Sequence, residues 1–240
     1  MTDEVVVSYL LNSGFSVKIG KTLLIFDYYL DPENIIPDLI AQSDTVYMFS
    51  SHRHFDHFNP LIGQFADRVT QYFLSFDIEG DTGTKSIPLE KTVFLNAYDS
   101  YASETLAIKT YSSTDEGISF LVEVNGWRIF HAGDFNWWHW KGETEENIKF
   151  ARNRFAKQLK KMSGLVADIA FFPVDSRLEE FCDLGAKEFC KETNVNYLIA
   201  MHRRGPVWTP NADFFAESKI IPTWCPIQSG ETRNITKNEE

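Results

Sequence analysis

Along the first 30 positions, short apolar runs alternate with turn formers. Residues 5–11, 15–19 and 22–27 carry β-branched and aromatic side chains and are separated by Asn12-Ser13-Gly14 and Gly20-Lys21. This pattern predicts a meander of three strands. Residues 31–44 are rich in Pro, Asp and Asn and predict a loop with a short helical piece. The apolar run at 45–50 predicts a buried strand, 60–67 a short helix with Pro60 in its first turn, and 71–76 a further strand. A polar connection at 77–87 leads to two or three modest strands between 88 and 111, around a turn at 96–99.

The second half carries clearer signals. Residues 118–124 and 127–131 flank Asn125-Gly126, the strongest short hairpin signal. In 143–162, Ile148, Ala151, Phe155, Leu159 and Met162 recur at helical spacing. Acidic residues open that helix and Lys157, Lys160 and Lys161 close it, matching the helix dipole. Residues 166–173 read as a strand. Asp183 is placed to cap a helix with Ala186, Phe189 and Cys190 on one face, and 196–201 reads as a buried strand. Strand–helix–strand alternation predicts mixed sheets with helices outside. One domain is expected over 1–228, followed by a polar, frayed tail at 229–240.

The candidate chemistry lies at strand ends. Three of the six histidines, His52, His54 and His57, fall within six consecutive positions together with Asp56, directly after the 45–50 strand. Imidazole and carboxylate are the ligands that zinc and similar divalent cations take. In an extended loop, His52 and His54 point to one side, and a turn at Phe55 brings Asp56 and His57 beside them. One arrangement is two adjacent metals, with His52 and His54 on one and Asp56 and His57 on the other. Asp134 follows Gly133 at the end of the hairpin, and His202 ends the last buried strand.

The run His52-Arg-His54-Phe-Asp56-His57 resembles the His-x-His-x-Asp-His motif of the metallo-β-lactamase-fold hydrolases, and the likeness extends over roughly residues 1–205. It implies a four-layer αββα architecture, with two mixed sheets and helices outside, holding one or two divalent metals. Zinc is the first expectation, and manganese or iron the alternatives. It implies that Asp134 bridges both metals, that His202 completes the second metal's set, and that Asp27 supports the loop. It also implies a metal-activated hydroxide, with Asp56 orienting it, that attacks a small ester, lactone or phosphoester. The layout is similar to the L-ascorbate 6-phosphate lactonase-like branch. Where that family places a further histidine ahead of the hairpin, this chain reads Ser112-Ser-Thr-Asp-Glu-Gly117. Asp115 is the favoured substitute, with Glu116 behind it, and an oxygen donor there tilts the site toward manganese, iron or magnesium. Oxygen-reducing di-iron relatives carry an acid at the motif's second ligand, where this chain has His54. Trp137, Trp138 and Trp140, with His139 among them, follow the bridging aspartate and suit an apolar substrate wall. Arg203 and Arg204 suit a clamp on a phosphate or carboxylate.

Composition narrows the partners. A net charge of −11, from 23 basic and 34 acidic residues, argues against broad binding to nucleic acid or anionic membrane. No apolar run reaches the roughly 18 residues of a membrane span. The start lacks a signal-peptide pattern, and three cysteines without a CxxC spacing do not form a disulfide framework. The expectation is a cytoplasmic enzyme with a small-molecule substrate, with homo-oligomerisation left open. Two other classes stay in view: a metal-binding sensor or scaffold with a degenerate site, and a nucleic-acid-processing metallohydrolase.

Overall fold

A computed structural model describes residues 3–215 and 220–237. Its strands, in chain order, are β1 (Glu4–Leu11), β2 (Gly14–Ile19), β3 (Thr22–Phe26), β4 (Thr45–Ser50), β5 (Gln71–Ser75), β6 (Thr92–Leu95), β7 (Ser100–Ala102) and β8 (Leu106–Ser112). They continue as β9 (Ile118–Val124), β10 (Trp127–His131), β11 (Val166–Ala167), β12 (Ile169–Pro173), β13 (Asn194–Val195), β14 (Leu198–Met201), β15 (Thr223–Trp224) and β16 (Thr232–Thr236). The α-helices are α1 (Ile36–Ala41), α2 (Glu145–Leu159) and α3 (Leu184–Glu192). The chain forms two compact units, Met1–Asn96 with Ile227–Glu240, and Ala97–Pro226.

The first unit is built on a seven-stranded sheet in the order β16-β1-β2-β3-β4-β5-β6. Its first three pairings are antiparallel and its last three parallel. The parallel strands read as unbroken apolar runs because both their faces are covered. On one face Leu23, Ile25, Val46, Met48, Tyr72 and Leu74 join Ile36 and Ile40 of α1 in a single cluster. On the other, Phe26, Phe49 and Phe73 stack across neighbouring strands at centroid spacings of 4.7 and 5.2 Å. Such aromatic pairs contribute about 0.5–1.5 kcal/mol each beyond their area burial.

The second unit has a sheet in the order β15-β14-β12-β10-β9-β8-β7. Counted from β7, it too has three antiparallel pairings followed by three parallel ones. The Asn125-Gly126 hairpin is present, with both residues at positive φ. Helix α2 starts from the Thr144 cap and buries Phe155 and Leu159, while Met162 is buried in the 3-10 turn that follows. Ile148 and Ala151 of the expected stripe are only half-buried.

The short helix expected over 60–67 forms as a 3-10 helix, Pro60–Phe65, capped by Asn59. Other expectations are corrected. Residues 166–173 split into two strands around Asp168, whose carboxylate binds the backbone N–H and guanidinium of Arg128. Asp183 does not cap α3 with its side chain, and instead accepts a hydrogen bond from Trp208 Nε1. The frayed tail expected at 229–240 is ordered through most of its length. Thr232–Thr236 forms β16 and pairs antiparallel with β1, while 238–240 lie outside the described residues. The polar composition that argued for fraying suits an edge strand, which is held by backbone hydrogen bonds and needs few apolar side chains.

Candidate functional site

In the first unit the histidine loop leaves the C-terminal end of β4, beside the end of β3. Ligand sites in sheets with parallel strands form at that end. Asp27, immediately after β3, is fully buried and holds a φ of +44°. A non-glycine residue takes the left-handed conformation at a cost of about 1–2 kcal/mol and keeps it where its surroundings over-determine it. Here they do. The Asp27 carboxylate accepts from Ser51 N, Ser51 Oγ and His57 Nδ1, each at 2.7 Å.

The hydrogen-bond network assigns the imidazole tautomers in this loop. A carboxylate only accepts, so His57 donates from Nδ1 and keeps the lone pair on Nε2. Ser51 gives its one hydroxyl hydrogen to Asp27, so His52 Nδ1, at 3.0 Å, donates to Ser51 Oγ and keeps its lone pair on Nε2. That Nε2 lies 3.0 Å from His54 Nδ1. Asp56 Oδ2 lies 4.0 Å from His57 Nε2 and accepts from Asn12 Nδ2 at 3.1 Å. His52, Asp56 and His57 are buried and His54 is half-buried.

In the second unit Asp134 follows β10 and His202 follows β14, both buried. Asp134 Oδ1 and His202 Nε2 are 3.5 Å apart. The turn after Asp134 is tied by Thr114, whose hydroxyl donates to Asn136 O at 2.6 Å and accepts from Asn136 N at 2.8 Å. His202 has a φ of +58°, and its Nδ1 lies 3.0 Å from Asp175 Oδ2. Burial alone would push the Asp175 carboxyl up. Hydrogen bonds from His202 and Arg177 outweigh it and hold Asp175 well below the usual carboxylate range.

The remaining candidates separate. Asp115 is exposed, and its backbone N–H is taken by Ser113 Oγ and its carbonyl by Arg154. Trp138 donates from Nε1 to the Asp134 carbonyl at 3.1 Å, meets His202 edge-on at 5.7 Å and stacks on Trp140 at 6.1 Å. Trp137 stacks instead on Phe155 of α2, and His139 on Phe181 at 4.1 Å. Arg203 donates to the carbonyl of Gly205. His131 is buried in its strand and accepts from Gly133 N. The sequence alone assigns no role to Asn12, Ser51 or Asp175. Asn12 reads as a turn residue, and Asp175 as an Asp just beyond a strand, a place that Asp27 also occupies.

The donor chemistry suits a divalent cation. Two ligand atoms on one tetrahedral ion with bonds of about 2.05 Å lie roughly 3.3 Å apart. The three pairs described, at 3.0, 4.0 and 3.5 Å, bracket that spacing.

No family model matches the sequence, and no curated protein matches it. Solved structures do. Igni18, described as a novel metallo hydrolase from the hyperthermophilic archaeon Ignicoccus hospitalis, is 16% identical over 98% of this chain and 100% of that one, with a TM-score of 0.64. The metallo-β-lactamase fold protein YhfI from Bacillus subtilis is 13% identical over 97% of this chain and 100% of its own, with a TM-score of 0.60. CmlA from Streptomyces venezuelae, a diiron β-hydroxylase, is 11% identical over 99% of this chain and 55% of its own, with a TM-score of 0.57. These likenesses show the fold, which is the metallo-β-lactamase fold expected from the histidine motif.

Proposed function

We propose that this chain is a metal-dependent hydrolase of small esters, lactones or phosphoesters. His52, His54, Asp56 and His57 from the loop, and Asp134 and His202 from the strand ends, are the side chains that would hold one or two divalent cations, zinc first. The observation that supports this most is the tautomer pattern of the loop. Asp27 and Ser51 occupy Nδ1 of His57 and of His52, so two buried imidazoles present Nε2 lone pairs. A carboxylate-held imidazole of this kind is how proteins prepare a histidine for a metal.

When bound, such a cation lowers the pKa of water toward about 7 and polarises the scissile carbonyl or phosphoryl group. The chain's own residues do the rest. Asp56, fixed by Asn12, accepts a hydrogen bond from the attacking water and orients it. The paired indoles of Trp138 and Trp140 pack an apolar part of the substrate next to Asp134 and His202. Arg203 offers a guanidinium to an anionic substrate group, its Gly205 contact setting its direction. Asp115 is left outside the ligand set by its exposure.

The test is metal analysis and turnover of ester, lactone and phosphoester panels on the purified protein. Activity should require metal and fall by at least about 100-fold in His54→Ala and Asp134→Ala, with the circular dichroism spectrum kept. A wild-type protein that holds no divalent metal refutes the proposal. Iron with oxygen chemistry is a second reading, supported by the diiron neighbour and by a donor set that iron also accepts. Substrate-dependent oxygen consumption by the iron-loaded protein would favour it.

A further inference from the structure

We infer that Asp175 is a positioning residue: it sets the tautomer and orientation of His202 and leaves Nε2 as that side chain's electron-pair donor. The inference deepens the metallohydrolase reading and rests on it only for the use to which Nε2 is put.

The geometry carries it. Asp175 is fully buried and follows β12, which pairs with the strand that His202 ends. Every polar partner described for the carboxylate is a nitrogen. Oδ1 receives Arg177 N at 2.9 Å and Arg177 Nε at 3.0 Å, and Oδ2 receives Arg177 Nη2, Arg177 Nε at 2.9 Å and His202 Nδ1 at 3.0 Å. The backbone N–H and the guanidinium supply hydrogens. An acceptor so surrounded has a stable place for one more donor and none for a second lone pair. Nδ1 of His202 therefore carries a hydrogen, and in the neutral ring Nε2, which lies 3.5 Å from Asp134 Oδ1, is left with the pair.

The backbone adds to this. His202 sits at a φ of +58°, a conformation that a histidine keeps only when its surroundings demand it. The hydrogen bond to Asp175 is one such demand, because it ties the ring to a rigid neighbouring strand. Arg177 anchors the arrangement from outside, its guanidinium 5.4 Å over the face of Trp140. His202 thus gains what Asp27 gives His57, from a different carboxylate at the end of a different strand.

The experiment reads the imidazole directly. Nitrogen-15 NMR of the metal-free protein at about pH 8, where an ordinary imidazole is neutral, distinguishes the tautomers. The His202 signals are identified by their loss in His202→Gln. The wild type is expected to show a single Nδ1–H form. In Asp175→Ala the ring should move to a mixture or to the Nε2–H form, and zinc affinity, measured by competition with a chromogenic chelator, should fall by about 10–100-fold. Asp175→Glu should restore part of both readouts, which a general loss of packing would not allow. A wild-type Nε2–H form overturns the inference even if no variant folds, and so does an unchanged tautomer in Asp175→Ala. A wild-type protein with the Nδ1–H form that binds no metal supports the positioning role and refutes the metallohydrolase reading.

Discussion

At the scale of single residues, buried carboxylates set the directions of the imidazoles. Asp27 receives three hydrogen bonds and holds a left-handed backbone to do so. Replacing it with Asn puts an amide N–H₂ where one of those donors points. Asp27→Asn is expected to lower zinc affinity by about 10–100-fold, read by isothermal titration against wild type. Unchanged affinity would show that the loop is organised without it. Asp115 gives the opposite expectation. It is the one candidate ligand in an exposed position, so Asp115→Ala should keep the wild-type metal content by elemental analysis, whereas His57→Ala should lose metal. Cys190 is a third case. Burial pushes its thiol up to about 12, so at about pH 8 it is protonated and sluggish. Disulfide reagents should modify it in denaturant and leave it intact in the native protein.

At the scale of elements, strand β5 couples stability to alkaline pH. Tyr72 is buried in that strand, donates to the Ile62 carbonyl at 3.1 Å, and burial pushes its hydroxyl up to about 12. Its pKa is raised on folding, so the neutral form is favoured in the native state. This contribution is fully present below about pH 10, where the unfolded chain still keeps its proton, and is lost as pH rises toward 12. Urea midpoints for wild type should fall more steeply over that window than those of Tyr72→Phe. Near neutrality the variant should be less stable by about 1 kcal/mol, for the lost hydrogen bond. Strand β16 carries a different expectation. It covers the β1 edge from Glu4 to Ser8. Deleting residues 229–240 exposes that edge and should lower the urea midpoint and raise light scattering on storage. A truncation as stable as the full chain would mean that the ladder contributes little.

At the scale of the whole molecule, both sheets follow one plan, three antiparallel pairings and then three parallel ones. The polar clusters sit where the parallel strands end: Asp27 and the histidine loop after β3 and β4, and Asp134, Asp175 and His202 after β10, β12 and β14. A cation that binds only the native state stabilises it by about 4 kcal/mol at a thousandfold excess over its Kd. For a chain of this length, zinc should raise Tm by on the order of 10 °C, and a chelator should reverse the gain without unfolding the protein, since both sheets have apolar cores of their own. Calorimetry with and without zinc checks this, and a Tm indifferent to zinc would count against a native-state site. No described helix is long and apolar enough to cross a membrane.

The sequence by itself determined the strands of both sheets other than β15 and β16, the hairpin, the histidine loop and the placement of Asp134 and His202 at strand ends. Those are local signals, written in periodicity, turn residues and a short motif. The resemblance placed Asp27 behind the loop, and only the tertiary structure decided which imidazole it holds and which other side chains join it. Asp27 and His57, Asn12 and Asp56, and Asp175 and His202 are 30, 44 and 27 positions apart. Their meeting depends on strand pairing and on turns that no local pattern encodes. The same holds for β16, whose Thr-Arg-Asn-Ile-Thr sequence has too few apolar residues to announce a strand. It is ordered because the unpaired edge of β1 supplies the hydrogen bonds that its side chains do not replace.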